Sequence, residues 1–239
     1  MLTPAKRRGE ELLDDPTADS GLALRSLRDV ALANLFFGGR LVVLRAFQPI
    51  FDEWSRTPQT SPRTVLDLGT GLADIPAAVV RAGQRRGIAV QSLGLERTAS
   101  LARAANEQCH TALVGDAMQL PFADASVDVV MCSQVLHHFD GEPAHQLLRE
   151  CTRVARHAVI VADLRRSWLA VGGLWSGSFV LGFHPVSRHD GMLSVLRGYT
   201  ARELATLVHH ATGCTPLVRR SLGFRLSATW RPPHSPRPA

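Results

Sequence analysis

The residues of this 239-residue chain whose types and spacing suit chemistry stand at the ends of short apolar runs. The first set is Asp67, Gly69, Thr70 and Gly71, within Thr64-Val65-Leu66-Asp67-Leu68-Gly69-Thr70-Gly71-Leu72-Ala73-Asp74-Ile75-Pro76. An apolar strand breaks there at two glycines and restarts as a helix, with Pro76 in a first turn that loses nothing by its missing N–H. Glycine has no Cβ, so the backbone can turn sharply and come close to a ligand. Binding of a nucleoside-type cofactor at a strand end is the chemistry this suits. Glu96 closes the next apolar run at about the spacing where a carboxylate accepts ribose hydroxyls. Asp116 closes a third run.

The second set moves protons. His137 and His138 follow a fourth apolar run, and His189 stands beside Asp190, which would fix its tautomer. A neutral imidazole can take a hydroxyl proton in a transition state. His138 and His189 are therefore the expected catalytic histidines, ahead of His137 and His184. Each of these residues also has a plainer reading. Glu96 would serve a helix dipole, Asp116 would cap its own turn, and a lone histidine is usually structural.

The elements that must hold these residues alternate strand and helix. Strands are expected at 64–68, 88–95, 112–115, 127–132 and 157–164, with helices at 74–86, 98–107 and 143–155 between them. Thr200 and Glu203 form a capping box opening a helix to about Ala211. Thr215–Ser221 and Phe224–Trp230 pair as a hairpin about Leu222-Gly223. Before the first strand, apolar residues recur at helical spacing from Gly21 to Trp54, interrupted at Gly38-Gly39.

The glycine register separates two nucleotide-binding classes. A dinucleotide fingerprint needs a third glycine where this chain has Asp74. The acidic residue two before the first glycine, with Ala73 in the third-glycine slot, instead resembles the first motif of class I S-adenosylmethionine-dependent methyltransferases. Gly115-Asp116-Ala117, running through Leu120-Pro121-Phe122, and Val135-Leu136-His137-His138-Phe139 are similar to further segments of that class. With Arg188-His189-Asp190-Gly191 and Leu193-Ser194, they resemble bacterial small-molecule methyltransferases of quinone and polyketide biosynthesis.

The resemblance covers residues 60–230 and implies an α/β fold: a seven-stranded, mostly parallel Rossmann-like sheet, its last strand antiparallel, with helices on both faces. It implies S-adenosyl-L-methionine as cofactor, held by Asp67, Gly69, Thr70, Gly71, Glu96, Arg97, Asp116, Ala117 and Ser133. In that reading Asp116 faces the adenine amine and the Ala117 amide faces the ring. No metal is implied. A non-catalytic cofactor-binding regulator or partner subunit would keep the same motifs, and an RNA methyltransferase is a further alternative.

Composition narrows the acceptor. Lys+Arg number 27 against Asp+Glu 21, a formal charge of +6, but the arginines are dispersed rather than gathered in the stripe that nucleic acid requires. Cys109, Cys132, Cys151 and Cys214 include no close pair, which points to reduced thiols and a cytoplasmic protein rather than a disulfide or zinc scaffold. The start of the chain has no apolar core of a signal peptide.

Residues 1–18 are expected as a flexible arm, 19–57 as a helical lid, 165–199 as an apolar cap inserted after the fifth strand, and 231–239 as a disordered tail. Ser167–Ser187 has no charged residue; its length would nominate a membrane helix, but its glycines and Pro185 argue for a cap, with peripheral membrane contact open. The expected enzyme, a monomer or homodimer, methylates a small, apolar, aromatic acceptor that is phenolic, quinone-like or polyketide, on oxygen ahead of carbon.

Overall fold

The computed structural model describes residues 3–7, 9, 11, 12 and 19–234. Its sheet contains β1 (Arg63–Leu68), β2 (Val90–Glu96), β3 (Thr111–Val114), β4 (Val127–Ser133), β5 (Ala155–Leu164), β6 (Leu217–Ser221) and β7 (Arg225–Trp230). The spatial order is β3-β2-β1-β4-β5-β7-β6. β7 runs antiparallel to both β5 and β6, and the other strands run parallel. The fold is the one expected. Chain order departs in opposite directions from the β1–β4 pair, which makes the gap beyond their carboxyl ends the switch point where open α/β sheets bind ligands.

The central strands read as continuous apolar runs because both faces are covered. On one face, Leu147 and Leu148 of α5 (Glu142–Val154) and Leu204 and Val208 of α8 (Ala201–Thr212) pack on Leu66, Val130 and Val159. The capping box at Thr200 and Glu203 opens α8. On the other face, α2 (Gly39–Trp54) and α3 (Asp74–Gln84) pack Phe47, Phe51 and Val79 on Val65, Val129 and Ile160. The short α4 (Ala99–Ala105) joins β2 to β3.

The segment expected as one lid, 19–57, divides in two. Only α1 (Ser20–Phe36) reaches over the strand ends, whereas α2 buries seven apolar side chains, from Val42 to Trp54, in the core. The left-handed residue Gly38 turns the chain between them. Among the described residues no single helix is long and apolar enough to cross a membrane; α1 and α2 meet that test only as a pair bent by 59°.

The insertion after β5 is two helices, α6 (Trp168–Val180) and α7 (Pro185–Arg197). α7 faces α1: Ser187 Oγ donates to Ser26 Oγ at 3.2 Å, and the His184 N–H donates to Asp29 Oδ2 at 2.9 Å. α6 reaches the cleft through Leu174 and turns most of its other large apolar side chains outward. It is apolar on every side, so no one face is selected for burial; Ala170 and Ser178 are its buried residues, and both of its tryptophans point outward.

The described part of the N-terminal arm is tied down rather than loose. Pro4 O accepts from Arg166 Nε, the Arg7 N–H donates to Leu196 O, and Lys6 pairs with Asp140. Residues 1, 2, 8, 10 and 13–18 of the arm and 235–239 of the expected tail lie outside the described residues. Arg231 and His234, at the start of that tail, bond Glu53 and the Ala155 carbonyl.

Candidate functional site

β1 ends in Asp67-Leu68 and the chain turns through Gly69 (φ +62°) and Gly71 (φ +58°) into α3. Both glycines are left-handed, the region a Cβ disfavours. A Cβ on Gly69 would also lie 2.6 Å from Val135 Cγ2, so this glycine lets the β1 and β4 turns close on each other. Ala73, in the third-glycine slot, is left-handed too (φ 58°).

Around this turn the chain gathers buried carboxylates. Asp67 Oδ2 accepts from Thr70 Oγ1 at 2.9 Å, while Asp67 Oδ1 is buried without a partner among the described residues. Burial pushes the Asp67 carboxyl well above its usual range, and the nearby charges of Asp74 and Glu96 add to this. Glu96, brought alongside by the parallel β1–β2 register, accepts from the Gly71 N–H; burial still raises its carboxyl. Ser133, at the end of β4, also buries a hydroxyl without a partner among the described residues. The site is electronegative and holds unused polar atoms.

These groups line a cavity of about 380 Å³ at the switch point, between the strand ends and α1 and α7. Asp67, Gly69, Thr70, Gly71, Glu96, Arg97 and Ser133 all face it, and so does His138. Asp116 and Ala117 do not line it. Asp116 is exposed, and its carboxylate accepts from the Met118 N–H at 2.8 Å, capping its own turn. A hollow of about 560 Å³ between α5 and α8 is larger but holds none of the strand-end residues.

The histidines separate into three environments. A 3-10 turn over Leu136–His138 sends His137 inward and His138 to the cavity, with ring centroids 4.3 Å apart. His137 is buried, its Nδ1 2.7 Å from Asp163 Oδ1 and its Nε2 3.7 Å from Glu11 Oε1. Burial alone would lower the His137 pKa; the Asp163 charge and hydrogen bond, with Glu11, outweigh it and raise it to about 9. Asp163 is correspondingly held below its usual value, its own burial overcome by His137. A charged His137 is a structural cation and not a base.

His189 is not brought to the cavity. On α7 the inward positions are Ser187, Asp190, Gly191 and Ser194, spaced by three and four, and His189 lies off that stripe. Its side chain is 58% exposed, with Nδ1 3.0 Å from Asp190 Oδ1. His184 caps α7.

Several site residues carry no signal in the sequence. Glu11 sits in a polar arm without periodicity, yet it reaches the cavity and contacts His137, Ser194 and Arg197. Glu11, His137 and His138 place ligand-type atoms within 4.8 Å of one another. Arg197 and the charged His137 already balance this carboxylate, so the cluster reads as an ion-pair network. Arg197 also donates to the carbonyls of His137 and His138, each at 3.1 Å. A second chain of bonds runs from Arg225 to Gln134, to Asn34 and on to Asp74, tying α1 to the strand ends. Nothing in the local pattern around Asn34 or Gln134 announces it.

Residues 66–162 match the family model described as a methyltransferase domain. That match spans the β1 turn, Glu96, Ser133 and both strand-end histidines. The matched stretch, under half of the chain, is similar to a methyltransferase domain, and the Asp67–Gly71 motif aligns that similarity with the class I S-adenosylmethionine-dependent enzymes. Among curated proteins, the chain is 28% identical over 142 residues to a demethylmenaquinone methyltransferase of Thermotoga maritima, covering 51% of this chain and 59% of that protein. It is 31% identical over 165 residues to an uncharacterized methyltransferase of Mycolicibacterium gilvum, covering 66% and 56% respectively. The chain thus spans a little over half the length of these relatives. Human N-acetylserotonin methyltransferase, solved with S-adenosylmethionine, shares the fold at a TM-score of 0.64 and 15% identity, over 94% of this chain and 60% of that one.

The methyl donor of the class fits the residues of this site. S-adenosylmethionine is a cationic nucleoside with hydroxyl and amine donors, and the cavity offers buried carboxylates, the unpartnered Asp67 Oδ1 and the unpartnered Ser133 Oγ. Asp67, Thr70, Glu96 and Ser133 are the residues that would hold it.

Proposed function

We propose that this chain transfers the methyl group of S-adenosylmethionine to a small, largely apolar aromatic acceptor, on oxygen ahead of carbon. The observation that carries the reading is a second chamber of about 130 Å³ adjoining the cofactor cavity, with His138 and Glu11 lining both. Its wall includes Val30, Ala33, Leu164, Leu174 and Phe183. Such a lining accepts an apolar body, and its cations are already engaged, His137 by Asp163 and Arg225 by Gln134 and the Phe37 carbonyl. The Thermotoga relative is, by name, a methyltransferase of demethylmenaquinone, which favours a quinone-like or phenolic acceptor over RNA or protein.

The cofactor supplies an electrophilic methyl on a sulfonium. The protein's part is orientation, exclusion of water and proton removal. Gly69, Gly71 and Glu96 fix the nucleoside end; Asp116 and Ala117, just beyond β3, would close over the adenine edge. α1 and α7 cover the reacting atoms. His138, between the two chambers, takes the proton of an acceptor hydroxyl, and the stacked His137–Asp163 pair holds its ring in place. His189, exposed and off the cavity, is left with a role only if α7 turns on binding.

A turnover screen with labelled cofactor across small phenols, quinones, tRNA and protein extracts tests this. Label is expected in phenols or quinones. Label in tRNA or protein and in no small molecule overturns the reading.

A further inference from the structure

α6 carries its apolar side chains on the outside of the molecule. Trp168, Leu169, Trp175 and Phe179 are each about half exposed, and Val180 is 87% exposed. The Trp175 and Phe179 rings pack edge to face, with centroids 5.0 Å apart. This surface continues past α6. Gly177 of α6 and Gly223 of the β6–β7 turn both lie against Phe37, which follows α1. Leu35 and Phe36 at the α1 end are 52% and 60% exposed, and Leu222 at the hairpin tip is 69% exposed. Monomeric surfaces rarely leave a run of large apolar groups like this one uncovered.

Arginine borders this surface. From Leu164 to Arg231 the chain holds nine arginines, of which Arg166, Arg197 and Arg225 are buried, and only two carboxylates, Asp190 and Glu203. Asp190 is buried, and Glu203 pairs with Arg166 at 2.7 Å. Arg188 lies 4.1 Å from the Phe179 ring centroid, and Arg25 donates to Gly182 O just beyond α6. Arg219 and Arg220 are exposed on β6, beside the hairpin tip.

We propose that α6, the α1 end and the β6–β7 tip seat this protein on an anionic lipid bilayer, with α6 lying along the boundary between headgroups and acyl chains. Tryptophan beside a rim of arginine suits that boundary, where rings sit among headgroups and cations meet acidic lipid. Thirteen residues are too few for α6 to span the membrane, so it lies in the surface. Symmetric docking of a second copy through this patch would set one arginine rim against the other. The docking rests on the surface alone and not on the proposed reaction. Should both hold, Leu174, the α6 residue in the smaller chamber, marks where an acceptor dissolved in lipid would enter.

The test is sedimentation of the full chain with vesicles of equal parts phosphatidylcholine and phosphatidylglycerol, against vesicles of phosphatidylcholine alone. Binding is expected to the anionic vesicles, weakened by salt, with a blue shift of tryptophan emission. The double change Trp175→Ala, Phe179→Ala should lower the partition coefficient at least about tenfold, with thermal midpoint and circular dichroism unchanged. Arg219→Gln with Arg220→Gln should weaken anionic vesicles about five- to tenfold and leave neutral ones unaffected. Failure to sediment with any vesicle overturns the proposal, as does binding indifferent to the aromatic pair. Self-association abolished by that double change, without vesicle binding, assigns the face to a second copy instead.

Discussion

The two walls of the cavity are held by different forces. The floor is strand ends: Asp67 is fixed by ladders on both sides, opposite Gly94 of β2 and Met131 of β4, and cannot move without opening the core. The cover of α1, α7 and the described arm residues is joined to the floor and to itself by side-chain bonds, among them Ser26–Ser187, Asn34–Asp74 and Glu11–Arg197. Bonds of that kind contribute about 1 kcal/mol each, somewhat more where charged. A rigid floor suits an unchanging cofactor. A cover held by a few exchangeable bonds can open for the acceptor and be reshaped to select it.

That contrast breaks most visibly at His138, which stands on the floor and lines both chambers. His138→Ala should lower kcat for a hydroxyl acceptor by about 10²–10⁴ and leave cofactor affinity unchanged in calorimetry. A carbon acceptor turned over at the wild-type rate by this variant would place the base elsewhere.

The pinning of arm to floor by His137 should appear as a pH dependence of stability. Its pKa is raised from 6.5 to about 9, so its stabilisation is fully present below pH 6.5 and is lost as pH rises through 9. The contribution is on the order of 3 kcal/mol. Urea unfolding from slightly acid to strongly alkaline pH should show that decline, and His137→Gln should flatten it.

On the floor, Glu96→Ala removes a carboxylate whose bonds to ligand hydroxyls are worth roughly 1.5–3 kcal/mol, so cofactor affinity should fall about ten- to a hundredfold. The smallest effect is expected on the cover. Ser26→Ala loosens α1 from α7 and should change acceptor KM by about two- to fivefold, with cofactor affinity intact. Equal losses of cofactor and acceptor binding in that variant would mean the two walls act as one.

The floor was legible in the sequence because its signals are local. Val65-Leu66 leading to Gly69 and Gly71, and Val127–Cys132 leading to Ser133, each read as strand then turn, and the fold followed from their order. Asp116 was less so: a strand-end aspartate has the same neighbours whether it meets a ligand or, as here, caps Met118. The cover was legible only in outline. α1 and α2 have the same apolar spacing, and only tertiary packing decides that Phe47 and Phe51 are core while Ala23 and Leu27 face the cavity. On α7 a shift of one position separates inward Asp190 from exposed His189. Glu11 acts across the fold, and its neighbours in the chain contain nothing to foretell it.

Titration calorimetry of the full chain with S-adenosylmethionine, S-adenosylhomocysteine and NAD tests the assignment of the floor most directly. Both sulfur nucleosides should bind, the Glu96→Ala variant should bind them more weakly, and NAD should give no heat. Binding of NAD, or an affinity for S-adenosylmethionine that Glu96→Ala leaves unchanged, would contradict the account.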